Sequence, residues 1–498
     1  MSHKFIPEDT PITLGTRYAP GWADSFPFTL TMEDRRRHMY VVGQTGTGKS
    51  TLLKDIIKQD IWAGRGVGYI DPHGQDAEEI LRSIPSWRAD DVVYFNAADF
   101  AYPMAWNLLS GDQVAPAERD RIASIIVSGF QGIFGNSWGP NLEYVLLGCL
   151  HTLLAREGTS ILGVPRLITE QDYRAHVLKH VHDPGLGMFW KNFAKQEAEH
   201  KDATTSVINK VGRLFLSPTM RNIFGQPVNK IHPRKIMDEK KIFIVNLAKG
   251  AIGDDAARII GALLIAQFFS ASLTRRDIPE GERVDFSLVV DEFPSFSTTV
   301  IANILSESRK YRLNVILANQ FLGQLDEKTE QAIFGNPGAI VTFRVGEEDA
   351  ALLAKHFGGD YVPRHFSNLD NFNVCVKQLA GGIAQDPFVG QTHIFHAPEY
   401  LDDKKIQRTT ADGREWIHEH RRLDTAPAVV VLAAEITASE GRQHVAANHR
   451  RKRPGADCAY GRWWPCAAVP RPKVGCGGHR RPRGCIVRRS GSPRRKLD

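Results

Sequence analysis

The chain has 498 residues, of which 42% are hydrophobic, 24% charged and 9% aromatic, and this composition excludes a chain that is disordered or collagen-like as a whole. Its length suffices for about two to four domains with an ample core. The net charge of +7 is uneven, because residues 441–498 hold 16 Lys and Arg against two acidic residues, a net of +14, whereas residues 1–440 hold 47 basic and 54 acidic side chains, a net of −7.

Cysteine usage and hydropathy favour a cytoplasmic protein. Only Cys149 and Cys375 lie within residues 1–440, which therefore have no disulfide framework and suit a reducing cytosol. The N-terminus lacks the charged and then apolar plan of a signal peptide. The best apolar stretches, 142–155 and 256–272, are shorter than the roughly 20 residues that span a bilayer. We expect no membrane segment in this chain, which partners could still recruit to a membrane.

The first part of the chain predicts alternating strands and helices. Residues 1–36 are rich in Pro and aromatic residues and predict an N-terminal segment of loop or short strands. Residues 37–112 then contain an apolar strand, a glycine-rich turn and a helix start in RRRHMYVVGQTGTGKST, followed by the short β-rich runs VGYI (67–70) and VVYF (92–95). This alternation predicts a mostly parallel sheet with helices on both faces.

The middle of the chain predicts an all-α insertion over residues 113–228. Apolar side chains there recur at the spacing of one helix face. The stripe comprises Leu142, Val145, Leu146, Cys149, Leu150, Leu153 and Leu154.

Alternation resumes in residues 229–430, the second part of the core. The predicted elements are KIFIVNL (241–247), a helix over 254–273, FSLVV (286–290), a helix over 298–309, NVILAN (314–319), AIVTFRV (339–345) and a helix over 347–357 that closes the core. The predicted fold class is α/β, with a parallel sheet interrupted by the helical insertion.

A phosphate-binding motif, G-x-x-x-x-G-K-[ST], follows the first strand and opens a helix, the context that separates it from a glycine-rich surface turn. Its glycines let backbone N–H groups close around phosphate oxygens, and the helix N-terminus adds a favourable dipole. The lysine would reach the β- and γ-phosphates, and the serine hydroxyl would bind Mg²⁺. The motif predicts a site for ATP and Mg²⁺ at Gly43, Gln44, Thr45, Gly46, Thr47, Gly48, Lys49, Ser50 and Thr51.

Two carboxylates, Asp291 and Glu292, end the buried strand in FSLVVDEF. Alone they would fit an exposed turn equally well, but with the phosphate motif upstream they form the expected second half of an ATP site. Asp291 would hold the Mg²⁺ shell, and Glu292 would orient and deprotonate the attacking water. Asp291 lies 242 positions after Lys49, and the helical insertion accounts for this long spacing.

Gln320 ends a strand that should neighbour the strand before Asp291. Its amide could meet the γ-phosphate or the lytic water, although an ordinary polar strand end is the alternative. Arg309, Lys310 and Arg312 lie at a helix end, where cations are stabilised in any case. By themselves they indicate a solvated basic face.

Together these blocks resemble the HerA/FtsK-type ring ATPases, and within them the HerA-like and the conjugative coupling-protein (TraG/TraD-like) ATPases associated with type IV secretion. The resemblance covers about residues 35–360. It rests on the order of RHMYVVGQTGTGKST, DPHG (71–74), FNAADFAYPMAWNLL (95–109), WGPNLEYVLL (138–147), IFIVNL, LVVDEF, ESRKYRLNVILANQ and FRVGEEDA. It implies a RecA-like P-loop core in a homohexameric ring, which hydrolyses ATP between subunits and drives DNA through a central channel.

The resemblance also implies roles for individual residues. Lys49 and Ser50 match the first nucleotide motif of the family, Asp291 and Glu292 the second, and Gln320 the sensor glutamine.

Two arginines are singled out by the resemblance. Arg37 matches a family arginine that reaches into the neighbouring subunit's site, and Arg309 matches the arginine of the family's R-K-x-[GR] helix end. Either would make hydrolysis depend on assembly, because an arginine supplied in trans stabilises charge on the transferring phosphoryl group. The residues alone leave Arg37 as one of three arginines on a solvated turn.

The DPHG turn places Asp71 and His73 at the end of a core strand, near the nucleotide site in the family. We expect a hydrogen-bonding role for His73, since a histidine before glycine is typical of a turn. This form of the turn is closer to the soluble HerA-like branch, and the chain carries no N-terminal transmembrane pair of the kind found in membrane-bound coupling proteins.

Residues 431–498 are rich in Arg, Pro, Gly and Cys without periodicity, which predicts disorder and also fits an out-of-frame extension. The four cysteines lack the short paired spacing of structural zinc sites, even when His479 is counted. Nonspecific attraction to nucleic acid is favoured for this basic tail. The cysteines are Cys458, Cys466, Cys476 and Cys485.

The leading functional hypothesis is an ATP-driven DNA translocase that acts in conjugative transfer or HerA-like DNA processing. Its DNA binding should not be sequence-specific, since no helix-turn-helix or zinc-finger signal is present. Expected partners are further copies of the chain, type IV secretion components, a relaxase or a nuclease. Two alternatives stay open: a type IV secretion ATPase that acts on protein substrates, and a DNA-binding scaffold whose assembly the nucleotide controls.

Overall fold

The computed structural model describes residues 6–18, 25–109, 116–195, 201–296 and 298–396. By its contacts the chain divides into Met1–Ala434 and Glu435–Asp498, and all described residues belong to the first unit. The predicted disorder, zinc-site and nucleic-acid properties of the basic tail therefore lie outside the described residues.

Twelve strands of the described residues form one sheet. They are β1 (Ile12–Tyr18), β2 (Ser25–Leu30), β3 (Met39–Val42), β4 (Gly66–Asp71), β5 (Val92–Asn96), β6 (Ile242–Asn246), β7 (Phe286–Val290), β8 (Leu313–Asn319), β9 (Ala339–Thr342), β10 (Asn373–Ala380), β11 (Ile383–Ala384) and β12 (Phe388–Thr392).

The helices lie between these strands. They are α1 (Met32–Arg35), α2 (Lys49–Trp62), α3 (Gln75–Arg82), α4 (Pro116–Phe134), α5 (Pro140–Leu154), α6 (Gly163–Thr169), α7 (Gln171–Leu178), α8 (Pro184–Lys195), α9 (Lys201–Val211), α10 (Arg213–Leu216), α11 (Pro218–Phe224), α12 (Pro233–Asp238), α13 (Lys249–Ile252), α14 (Asp254–Thr274), α15 (Thr298–Glu307), α16 (Glu327–Gly335), α17 (Glu347–Phe357) and α18 (Arg364–Ser367).

The centre of the sheet is parallel, in the order β9-β3-β8-β7-β4-β6-β5. Every residue of β3, β4, β6, β7 and β8 is buried, because helices cover both faces and each strand is a nearly continuous apolar run. Alternate residues enter two separate cores: Tyr40 and Val42 face one, Met39 and Val41 the other. The predicted parallel sheet is confirmed.

The sheet continues past β9 as an antiparallel extension that the sequence analysis did not predict. β10 pairs with β9 and with the short β11, β12 pairs with β10, and β1 pairs with β12 and with β2. Residues 1–36 thus contribute two strands to the sheet, and the strands of the core do not end at residue 345.

Helices α4 to α12 occupy the stretch between β5 and β6. The seven apolar residues of the stripe on α5 are all buried, as their spacing predicts. Helix α4 packs against α14, so the helical stretch shares one hydrophobic core with a face of the sheet.

One helix of the described residues, Asp254–Asp277, is long and apolar enough to cross a membrane by length and composition. In the fold, 78% of its most apolar window is buried, and its side chains belong to the core on one face of the sheet. Its apolar character is that of a core helix.

Candidate active site

Four adjacent parallel strands, β3, β8, β7 and β4, end together at the carboxyl edge of the sheet. The register places Val42 beside Asn319, and Ile70 beside Val290. The loops that leave these ends carry the phosphate motif, Gln320, the two carboxylates and DPHG. This edge therefore collects residues from distant parts of the sequence.

The phosphate motif runs from Gly43 at the end of β3 to Lys49 at the start of α2. Gly48 has φ +118, a left-handed conformation that favours glycine. A Cβ at Gly43 would lie 2.5 Å from the Cβ of Phe343, so only a glycine lets the loop pass this close to residue 343. The Thr47 hydroxyl donates to the Gln44 carbonyl at 2.7 Å and ties the loop to itself.

Lys49 is buried against this loop, and its ammonium donates to the Gly43 carbonyl at 2.6 Å. Burial lowers the pKa of Lys49, while the carboxylates of Asp291 and Glu292 act in the opposite direction. The lysine is a cation held at the centre of the site and close to two anionic groups.

The two predicted carboxylates follow β7 but differ in environment. Asp291 is 8% exposed, and burial raises its pKa to about 6, although the positive charge of Lys49 opposes the shift. Glu292 has φ +47, which is unusual for a residue with a Cβ. Its N–H donates to the Asp291 carboxylate at 2.9 Å.

A continuous line of polar contacts crosses the four strand ends in the order of the sheet. The Thr45 hydroxyl in the phosphate loop donates to the side-chain oxygen of Gln320 at 3.2 Å. The Gln320 amide in turn donates to one carboxylate oxygen of Glu292. The other oxygen of Glu292 lies 3.4 Å from Nε2 of His73. The structure thus brings Gln320, the candidate base Glu292 and the phosphate loop into contact.

Asp71 and His73 have separate roles in the DPHG turn. The buried Asp71 carboxylate accepts from the N–H groups of His73 and Ala77, at 2.8 and 2.9 Å, and so holds the start of α3. Burial raises the pKa of Asp71, and these N–H groups act against the shift. His73 is largely exposed and contacts Glu292, which gives it the position of a partner of the candidate base.

Arg37 and Arg309 do not reach this edge in their own chain. Arg37 precedes β3 and Arg309 precedes β8, so both lie at the amino-terminal edge of the sheet. The four residues of β3 alone separate the two edges by roughly 13 Å. The charge of Arg309 acts on His38, the residue that follows Arg37.

The three consecutive arginines have different surroundings, which corrects the interpretation of a solvated turn. Arg35 is 3% exposed and donates twice to the Asp60 carboxylate, at 2.7 and 2.5 Å. Arg36 donates twice to Asp285, at 2.8 and 2.7 Å. Arg37 makes no ion pair with any described residue, and its Nε is buried without a hydrogen-bond acceptor there.

The residues at the carboxyl edge fit a magnesium nucleotide better than a metal ion alone. Within the described residues no group of three or more His, Cys, Asp or Glu could hold a metal. Ser50 and Asp291 supply one hydroxyl and one carboxylate, and Mg²⁺ in such sites takes its other ligands from phosphate and water.

Two aromatic residues near the loop were missed as site residues. Phe343 packs against Gly43, and Phe372 donates its N–H to the Thr47 carbonyl at 2.8 Å. Phe343 begins the FRVGEEDA block, which was a usable signal. Phe372 stands in a segment without periodicity or motif, and its position depends on the unpredicted strand β10.

No family model and no curated protein matches the chain. Among solved structures, the plasmid coupling protein TrwB in complex with a non-hydrolysable ATP analogue aligns with a TM-score of 0.58 at 17% identity, over 80% of this chain and 98% of that chain. TrwB with ADP and Mg²⁺ gives 0.57 at 16% identity over the same shares. VirB4 of Thermoanaerobacter pseudethanolicus gives 0.52 at 15% identity, over 78% and 96%.

These likenesses span nearly the whole of the compared chains at low identity, and they show a shared fold. The RecA-like P-loop fold expected from the sequence is confirmed, and the structures that share it include a bacterial conjugative coupling protein.

Proposed function

We propose that the protein is an ATP-hydrolysing motor that moves DNA and works as a ring of identical subunits, with six as the expected number. The observation that carries this proposal is the line of contacts from Thr45 through Gln320 to Glu292, beside Lys49 and Asp291. It joins the phosphate motif to the carboxylate that would act on water.

ATP and Mg²⁺ are the expected ligands of this edge. The backbone of residues 43–48 would surround the phosphates, and the Lys49 ammonium would exchange the Gly43 carbonyl for phosphate oxygens, which are stronger acceptors. Ser50 and Asp291 would hold Mg²⁺, which neutralises charge on the phosphates when bound. The TrwB complexes with ADP and Mg²⁺ and with an ATP analogue support this assignment by analogy of fold.

Hydrolysis would need a water activated by Glu292. Its carboxylate would accept the proton, while Gln320 orients either the water or the γ-phosphate. His73, at 3.4 Å, would keep the carboxylate from rotating away. Because Gln320 contacts both Thr45 and Glu292, phosphate in the loop and the position of the base are coupled through one side chain.

The position of the arginines supports assembly into a ring. Arg37 and Arg309 lie at the amino-terminal edge, so they could serve only the carboxyl edge of another subunit. An arginine supplied in this way commonly raises phosphoryl-transfer rates by about 10³- to 10⁵-fold. Subunits stacked edge to edge around a ring would give each site one such neighbour.

DNA is the proposed cargo, recognised without sequence preference, with type IV secretion components, a relaxase or a nuclease as possible partners of a cytoplasmic motor. TrwB is a bacterial conjugative coupling protein, and the net charge of +14 in residues 441–498 suits phosphate backbones.

The test is ATP hydrolysis by the full chain with and without double-stranded DNA, with Lys49→Ala as the blank. We expect DNA to stimulate turnover several-fold, and the stimulation to fall as the salt concentration rises, because binding without sequence preference depends on phosphate contacts. Turnover indifferent to DNA would favour a secretion ATPase acting on proteins. A ring without turnover would favour a nucleotide-controlled scaffold.

Mixing two inactive variants tests the supply of arginine between subunits. Lys49→Ala keeps Arg37 but lacks the phosphate lysine, whereas Arg37→Ala keeps the lysine but lacks the arginine. Mixed rings contain interfaces with both groups, so activity should reappear on mixing. If Arg37→Ala alone hydrolyses ATP at the normal rate, Arg37 has no such role, and the same mixture with Arg309→Ala tests the second candidate.

A further inference from the structure

Phe372 is an exposed aromatic residue beside the phosphate loop, and we infer that its ring is the platform on which the base of the bound nucleotide stacks. This inference rests on the proposed function, because it assigns a subsite of the same nucleotide site. It names a purine base as the group recognised and aromatic stacking as the interaction.

The main chain fixes Phe372 against the loop from both sides. Its N–H donates to the carbonyl of Thr47, inside the phosphate motif, at 2.8 Å. Its carbonyl accepts from the N–H of Thr392 on β12 at 2.9 Å. The ring is thus carried by the sheet and joined directly to the phosphate loop, so its position relative to the phosphates is set before any ligand arrives.

The ring lies on the glycine that precedes Lys49. A Cβ at Gly48 would be 2.8 Å from Cδ1 of Phe372 and 3.1 Å from Cε1 of Phe343. The absence of a side chain at Gly48 therefore leaves room for Phe372 at the start of α2. A nucleotide with its phosphates in the loop would carry its base, joined through the ribose, past this part of the loop.

Two features of Phe372 are unfavourable for folding and are explained by a ligand. The ring is 40% exposed, whereas Phe343 beside it is fully buried. Phe372 also has φ +66, a conformation that is rare for a bulky residue. Such conformations are retained where the surrounding structure imposes them, and they cluster at ligand sites.

The neighbouring polar groups do not compete with stacking. The Asn371 side-chain oxygen accepts from Arg344 at 3.2 Å, and Arg344 also donates to the Leu369 carbonyl at 3.3 Å. The segment before Phe372 is thereby held by Arg344. Stacking uses the face of a base, which adenine and guanine share, so Phe372 should strengthen the binding of both ATP and GTP.

The experiment measures binding to the full chain of two probes, each with Mg²⁺: a non-hydrolysable ATP analogue and inorganic tripolyphosphate. Phe372→Ala should weaken the binding of the analogue by about 5- to 150-fold, the range of aromatic–base stacking. The affinity for tripolyphosphate should change by less than about twofold. Phe372→Asn repeats the test with a residue that tolerates positive φ, and Phe372→Tyr should bind like the wild type.

A second readout and a control complete the design. In Phe372→Trp, the added tryptophan fluorescence should be quenched by the analogue but not by tripolyphosphate. Phe100→Ala is the matched control, since Phe100 is 56% exposed and follows β5 at the far end of the same edge, and its removal should change neither affinity.

The outcomes separate this inference from the proposed function. If wild-type protein binds neither probe, the nucleotide site itself is wrong. If it binds both and the Ala and Asn variants lose affinity equally for both, Phe372 only supports the loop, and the stacking role is rejected. Unchanged affinity for the analogue in these variants rejects it as well.

Discussion

Acid should destabilise the protein through His38, a buried histidine at the amino-terminal edge of the sheet. His38 is 2% exposed, and its Nδ1 accepts from the N–H of Val315 at 3.1 Å. Burial, with a further contribution from the charge of Arg309, lowers the pKa of His38 from 6.5 to about 4. The folded protein therefore keeps this ring neutral at pH values where the unfolded chain protonates it.

The magnitude follows from the two pKa values. Above about pH 6.5 His38 is neutral in both states and stability does not depend on it. As the pH falls from 6.5 towards 4 the unfolded chain binds the proton first, so the free energy of unfolding decreases. The loss is about 2 kcal/mol at pH 5 and about 3 kcal/mol once the pH is below 4.

His38→Asn is the variant that isolates this effect. Asparagine tolerates the positive φ of 69° at this position and can accept the same hydrogen bond, but it does not titrate. Urea unfolding of both full-length proteins at pH 7.5 and pH 5 should show the wild type losing about 2 kcal/mol relative to the variant on acidification. Arg309→Ala should reduce that loss. If the free energy of unfolding falls equally in the wild type and in His38→Asn between pH 7.5 and pH 5, the reasoning is refuted.

Two further predictions concern the chemistry and the buried ion pairs. Glu292→Gln should bind ATP normally, but its rate of ATP hydrolysis should fall by about 10²-fold or more. The two properties are measured separately, as binding of a non-hydrolysable analogue and as the hydrolysis rate. Near-normal hydrolysis would show that Glu292 is not the base. Asp60→Asn should lower the free energy of unfolding by about 3–5 kcal/mol, because the buried Arg35 and Arg65 lose their shared carboxylate. Arg36→Ala removes a half-buried ion pair and should lower the free energy of unfolding by about 1 kcal/mol or less. Equal losses of unfolding free energy in Asp60→Asn and Arg36→Ala would contradict this account.

The centre of the fold could be predicted because strands that are buried on both faces appear in the sequence as apolar runs. β6, β7 and β8 are nearly continuous apolar runs, and their predicted limits agree with the observed ones to within one residue. The functional residues stand directly after these strands. Once the strands are parallel and adjacent, Asp291, Glu292 and Gln320 must come together at one edge.

The rest depends on contacts that are distant in sequence. β12 is only partly buried and has no apolar run, so its strand character comes from pairing with β1 and β10. Arg35, Arg36 and Arg37 are identical and adjacent, and only the positions of Asp60 and Asp285 distinguish them. The left-handed conformation of Glu292 likewise carries no sequence signal.

The pairing of β1 with β12 also has a consequence for synthesis on the ribosome. Gly15 lies opposite Thr392, so β1 finds its second neighbour only when β12, the last strand of the sheet, has emerged. Until then the hairpin of β1 and β2 exposes apolar residues, among them Ile12, Leu14 and Phe28, and an unpaired edge. Closing this sheet is a late event of high contact order, and nascent chains that stop before residue 388 would be prone to aggregation.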